Sequence, residues 1–131
     1  MDYKLSEFTR MHDEFINDWN EAMISGDTSS LERMTNDYYV AFFKGTNEQP
    51  IIFNRKDAVT GMRQSVKQML GANKRFENRI IRLKNNNHTV VFYEQLIYKG
   101  AELLSRLFTI EDWQFLDGKW MIVREIEEPI D

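Results

Sequence analysis

Glu94, Glu111 and Arg124 are the residues of this chain whose types and spacing first suggest chemistry. Asp117-Gly118 is a strong tight-turn signal inside the stretch 103–126, which otherwise reads as two long strands. With Asp117 and Gly118 as the loop, Phe115 opposes Trp120, Trp113 opposes Ile122, Glu111 opposes Arg124 and Thr109 opposes Ile126. Side chains alternate across a sheet, so these pairs share one face, aromatic and apolar except for the ion pair. A two-residue turn at Lys99-Gly100 adds Phe92, opposite Leu107, and Glu94, opposite Ser105. A cross-strand ion pair contributes only about 0.2–1 kcal/mol, so charges on the inward face call for another reason. One is a catalytic or ligand-orienting cluster; the other is a charge network that pins strand register. On the first reading Glu111→Gln changes binding or turnover more than stability, and on the second the reverse. A three-residue loop with Gly118 in a bulge would slip the register by one and set Val123 opposite Glu111.

His12 is the fourth candidate. It lies on the apolar stripe of the first helix, two turns before Trp19. A neutral imidazole there could act as a general base near pH 7; a lone histidine on an apolar face is also a common satisfied core residue. Trp19, Trp113 and Trp120 point to one interior, where with Phe15, Phe92, Phe115 and Ile122 they line a pocket or simply fill a core. Tyr38 or Tyr39, whichever faces inward, adds a hydroxyl, and Tyr39 is the one carried as a ligand-binding candidate. His88 falls in an Asn-rich turn and is expected to be exposed. With two histidines so placed and no cysteine, neither a metal site nor a cofactor is expected.

The elements that must position these groups follow from periodicity. Leu5, Phe8, Phe15, Ile16, Trp19 and Met23 recur at helical spacing over 4–24, and Ser25-Gly26 ends that helix. Ser29 and Glu32 form a capping box for a short second helix. Residues 37–43 read as a strand, turned by Lys44-Gly45-Thr46-Asn47, and 51–53 as its brief partner. Asn54 caps a third helix over 55–70, stopped by Gly71. Strands over 75–83 and 89–98 then lead into the final hairpin. The expected architecture is α+β: a curved antiparallel sheet, a cone-shaped α+β barrel, with three N-terminal helices packed on its concave face.

A chain of 131 residues, 42% hydrophobic and 13% aromatic, reads as one globular domain spanning 1–131. Its net charge of −4 disfavours a phosphate backbone as partner. The basic run Lys74, Arg75, Arg79, Arg82 and Lys84 has only Phe76 interleaved, so a solvated strand is expected rather than a nucleic-acid groove, and Glu125, Glu127, Glu128 and Asp131 form an acidic end. No apolar run approaches a membrane span and the N-terminal residues do not form a signal peptide, so no membrane association and a cytoplasmic location are expected. The outward face, with Val91, Tyr93, Ile97, Leu104, Phe108, Ile110, Met121 and Val123, is too apolar for a lone monomer and predicts a homodimer through the outer sheet face.

Taken in order, Ser25-Gly26-Asp27 closing the first helix, Leu31 and Met34, Asn54-Arg55-Lys56-Asp57 opening the third, and the hairpin from Thr109 through Asp117-Gly118-Lys119 to Arg124 resemble the nuclear transport factor two-like superfamily. That group includes ketosteroid isomerases, scytalone dehydratases and SnoaL-like polyketide cyclases, commonly dimers with a cone-shaped pocket for small apolar molecules. The resemblance places the isomerase tyrosine at Trp19, its base at Phe42 or Phe43, and its protonated carboxylic acid at Glu111. Two of the three groups are absent, which argues against steroid-type isomerisation. The expected function is binding of a small apolar organic molecule, either as a binding protein or as a cofactor-independent acid–base enzyme of the cyclase, isomerase or dehydratase sort. The competing class is a non-catalytic dimeric module that uses the cone as core. An open cavity favours the first, a cone packed solid the second.

Overall fold

The apolar stripe of the first helix and the alternating strands of the C-terminal half come together as a helix laid across a curved sheet. A computed structural model describes residues 3–44 and 49–130. The elements are α1 (Tyr3–Ser25), a 3-10 turn (Ser29–Leu31), β1 (Met34–Phe42), β2 (Ile51–Asn54), α2 (Arg55–Gln68), β3 (Asn73–Asn85), β4 (His88–Lys99), β5 (Glu102–Leu116) and β6 (Lys119–Pro129). The strands form one sheet in the order β2-β1-β6-β5-β4-β3.

Two features of the expected architecture are corrected. The second of three expected helices is a single 3-10 turn, leaving two α-helices among the described residues. Its polar residues serve the loop instead: Asp27 Oδ1 accepts the Ser29 N–H at 3.0 Å, and Thr28 Oγ1 donates to Glu32 at 2.8 Å. The sheet is mixed, because β1 runs parallel to β6 while every other pair is antiparallel. The helix ends are as read: Gly26, at φ +82°, donates its N–H to Ala22 O at 2.8 Å, and Asn54 Oδ1 caps α2 by accepting from Asp57 N at 2.9 Å. The turn expected at Lys44-Gly45-Thr46-Asn47 lies, from Gly45 onward, outside the described residues.

Register decides which side chains enter the cone. At the final hairpin Asp117 and Gly118 both have positive φ, the two-residue turn that matches strand twist, and pairing runs as expected to Trp113 opposite Ile122. There Val123 is inserted as a bulge, so Asp112 pairs with Arg124, Glu111 with Glu125 and Thr109 with Glu127. One extra residue exchanges the faces of everything beyond it. Arg124 and Ile126 turn outward; Glu125 and Glu127 take the places expected of them.

β3 carries a second bulge. Its register against β4 shifts between Glu77 and Ile80, where Asn78 adopts φ +57°, a conformation asparagine tolerates better than most residues. Burial accordingly switches from Lys74 and Phe76 before the bulge to Arg79, Ile81 and Leu83 after it. The β4–β5 connection turns at Gly100-Ala101 rather than Lys99-Gly100, with a further shift beside Tyr98. Val91, Tyr93 and Ile97, expected outside, are therefore buried, and Phe92 and Glu94 face out.

The main core gathers Phe8, Phe15, Leu31, Tyr38, Val59, Val91, Tyr93, Trp113, Trp120 and Ile122 between α1, α2 and the concave face. The rings of Phe8 and Phe15 meet Trp113 edge-on at 5.8 and 5.1 Å between centroids, an arrangement aromatic quadrupoles favour.

Candidate functional site

Inside the cone the structure separates two polar groups. The first is closed. Glu111, wholly buried, accepts three hydrogen bonds: from His12 Nε2 at 2.8 Å and Trp113 Nε1 at 2.9 Å on Oε1, and from Tyr93 Oη at 2.6 Å on Oε2. Arg79, turned inward by the Asn78 bulge, reaches His12 Nδ1 at 3.1 Å and Asp13 at 2.8 Å. Both ring nitrogens of His12 are thus engaged, Nε2 by Glu111 and Nδ1 by Arg79. Burial by itself pushes the Glu111 carboxyl up, but His12, Tyr93 and Trp113 outweigh it and hold the group below the usual carboxylate range. Glu111 is thus an ionised acceptor.

The second group is open. A cavity of about 310 Å³ lies between α1, α2 and the sheet, lined among others by Phe15, Trp19, Met34, Phe42, Phe53, Met62 and Ile122, with Tyr38, Lys74, Tyr93, Glu125 and Glu127 supplying polarity. Tyr38 Oη donates to Glu125 Oε1 at 2.8 Å. Burial raises the Glu125 carboxyl well above the usual range, with like charge from Glu111 and Glu127 adding to it, and burial raises Glu127 too. Lys74 is 8% exposed. Its backbone is clamped by Asn20, which accepts the Lys74 N–H at 3.0 Å and donates to its carbonyl at 3.3 Å. Its Nζ lies 3.2 Å from the centroid of the Trp19 ring. Burial lowers this amine to about 8, although Glu127, Glu125 and Glu111 pull the other way.

The expected site residues divide accordingly. Phe15, Trp19 and Ile122 line the cavity. His12, Glu111 and Trp113 are packed behind it, touching it through Tyr93. Phe115 and Trp120 border a separate, more open cleft with Arg33 and Lys119. Arg124, Tyr39, Glu94 and Phe92 are carried to the outer face or rim. Arg124 Nε pairs there with Asp112 Oδ2 at 2.6 Å, Asp112 also meets His88, which is partly buried rather than exposed, and Glu94 is held by Arg106 at 3.2 Å and Asn78 at 2.8 Å. The interior shared by Trp113, Trp120, Glu111 and Arg124 does not form, because the Val123 bulge sends Arg124 the other way.

Sequence reading passed over Lys74, Glu125 and Glu127, treating them as parts of a basic strand and an acidic tail. The available signal was the bulge alternative at the hairpin, which moves the faces of β6 by one.

No protein-family model matches the chain, and no curated protein matches it in sequence. Solved structures do. A nuclear transport factor two-like protein of unknown function from Pseudomonas putida superposes with a TM-score of 0.70 at 10% identity, over 96% of this chain and 89% of that one. One from Novosphingobium aromaticivorans, described as having a cystatin-like fold, gives 0.69 at 12% identity, over 97% and 88%. A third, of unknown function from Shewanella baltica, gives 0.68 at 11% identity, over 97% and 96%. Identities this low speak of fold and leave chemistry to the site itself. Superposition over 96–97% of the chain shows that six strands curved around α1 and α2 are here the nuclear transport factor two-like, cystatin-like fold.

Proposed function

We propose that this protein binds a small organic molecule, apolar over most of its length and carrying one polar end, in the cavity between α1, α2 and the concave face. The observation that carries the reading is the convergence of Lys74, Tyr38, Glu125 and Glu127 on an otherwise apolar and aromatic hollow, the combination expected of a small-molecule site. The volume of about 310 Å³ is at the small end of such sites, and suits a molecule of one or two rings better than a steroid. Glu125, pushed by burial towards its protonated form and oriented by Tyr38, is the proposed proton donor, with Glu127 and Lys74 as the other titratable groups of the polar end. Acid–base chemistry of the isomerase, cyclase or dehydratase sort, without cofactor, is the reaction class such a set serves.

Trp19 lines the cavity, so bound ligand should quench or shift tryptophan emission saturably, and Trp19→Phe should remove most of that change. A screen of polyketide, terpenoid, fatty-acid and aromatic compounds, with native mass spectrometry for anything carried through purification, tests the reading. It fails if no compound gives a saturable signal, or if the signal survives Trp19→Phe unchanged.

The outer face keeps Phe92, Phe108, Ile110 and Met121 partly buried and Leu104 and Ile126 exposed. We propose that two copies pair across it. Light scattering at micromolar concentration should return twice the chain mass.

A further inference from the structure

We propose that Lys74 is a carbonyl-capturing amine, and that the ligand of the cavity is an aldehyde or ketone held there as an imine. This deepens the cavity reading and rests on it.

The argument starts from what surrounds the amine. Lysine is almost never buried without a partner of opposite charge, because the ammonium loses its hydration. Lys74 is buried, yet among the described residues no carboxylate lies within ion-pair distance of it; its charge rests instead on the face of Trp19. Asn20 fixes its backbone from both sides, so its position is set from the main chain and the amine is left free to react. The lysine is also part of the cavity wall. A scaffold lysine would be expected to reach solvent or a salt bridge; this one does neither.

The second element is the chemistry opposite it. Attack on a carbonyl requires the amine lone pair. Burial that brings the group to about 8 makes roughly a fifth of it neutral at pH 7.4, against about 0.1% for an ordinary lysine. The other titratable groups facing the cavity are Glu125 and Glu127 from β6, Tyr38 from β1, Tyr93 from β4 and Asp57 from α2, with Glu111 of β5 behind Tyr93. Loss of the ammonium proton to solvent, easier for an amine that burial disfavours as an ion, exposes the lone pair. The nitrogen then bonds to the carbonyl carbon, and one of its two protons passes to the carbonyl oxygen to give a neutral carbinolamine. Glu125, which burial pushes towards its protonated form and Tyr38 holds, donates a proton to the hydroxyl as the carbon–oxygen bond breaks. Water leaves, the nitrogen loses its remaining proton to a cavity carboxylate, and the imine remains. No oxidant or reductant enters. The aromatic and apolar remainder of the wall favours a flat or branched hydrophobic carbonyl compound over a sugar.

The test uses the intact protein with 2-naphthaldehyde and sodium cyanoborohydride at pH 7.4. The hydride reduces the imine to a secondary amine and so adds to the chain the mass of the aldehyde less one oxygen. Peptide mapping should place the modification at Lys74 at a rate about ten times or more that of any other lysine, as expected for a lowered amine in an apolar pocket. Glu125→Gln should slow labelling at Lys74 and leave the background on surface lysines unchanged. 2-Naphthylmethanol, which cannot form an imine, is titrated in parallel by tryptophan emission. Labelling spread evenly over the lysines, with the alcohol still binding, overturns the role given to Lys74 and leaves the cavity reading standing. Even labelling with no binding of the alcohol overturns both.

Discussion

Glu111 and Lys74 are buried charges within one cone, and their surroundings are opposite. Glu111 has three donors on its two oxygens; Lys74 has an aromatic face and a cavity. A fully buried carboxylate with three donors on its roughly four acceptor sites has little capacity left for a ligand and every reason to be kept for the fold, since each donor would be orphaned without it. An amine buried without an ion pair costs stability and is explained by use. Two groups that look alike as buried charges are told apart by whether their hydrogen bonding is complete. On the proposed reading the chemistry belongs to the cavity that Lys74 of β3 shares with Glu125 and Glu127 of β6, and not to the closed group around Glu111.

The largest expected effect falls on the closed group. Glu111→Gln replaces one acceptor oxygen by a donating amide among donors, and should cost about 3 kcal/mol, read as a lower urea midpoint with unchanged slope. A stability loss below about 1 kcal/mol, with ligand binding abolished, would return Glu111 to the site and undo the contrast. Acid should weaken the same group: its carboxyl is held below the usual range, so its contribution is complete above the ordinary carboxylate pKa and is lost as pH falls through the lower folded value.

Lys74→Met should act in the opposite direction. The folded amine titrates near 8 and the unfolded one at 10.5, so between those values the unfolded chain binds more protons and stability rises with pH. Below the lower value the penalty of the buried ammonium is fully present. The substitution should therefore gain about 1–3 kcal/mol at pH 7, shrinking as pH approaches 10.5. Denaturation of both proteins across that window checks it; a difference that does not change with pH would mean that no buried ammonium was removed. Arg124→Ala is the smallest. Half-exposed and paired with Asp112 on the outer face, Arg124 should contribute under about 1 kcal/mol, and its loss should leave ligand titrations unaltered.

Much of the architecture was legible in the chain. The α1 stripe, the Gly26 stop, the Asn54 cap and the Asp117-Gly118 turn are local signals, and each element stands where those signals put it. The 3-10 turn at 29–31 was overread because a capping box is consistent with a helix and does not require one. The parallel pairing of β1 with β6 had no local signal, since the two strands lie some eighty residues apart.

The site was less legible, for one reason. Period-two reading assigns faces correctly only until a strand gains a residue, and β3 and β6 each gain one, while the β4–β5 ladder slips beside Tyr98. Nothing in Val123 announces a bulge, and Asn78 tolerates one without requiring it. A bulge is chosen when the slipped register packs and satisfies more of the remaining chain than the regular one does.

The sequence by itself determined that helices would cover a curved sheet with an aromatic interior, because helical and strand periodicities and turn residues act over a few positions. Only the tertiary structure decided which charges enter that interior. Arg79 rather than Arg82, and Glu125 rather than Arg124, face inward because strand faces are set by register, and register is settled by the whole sheet at once.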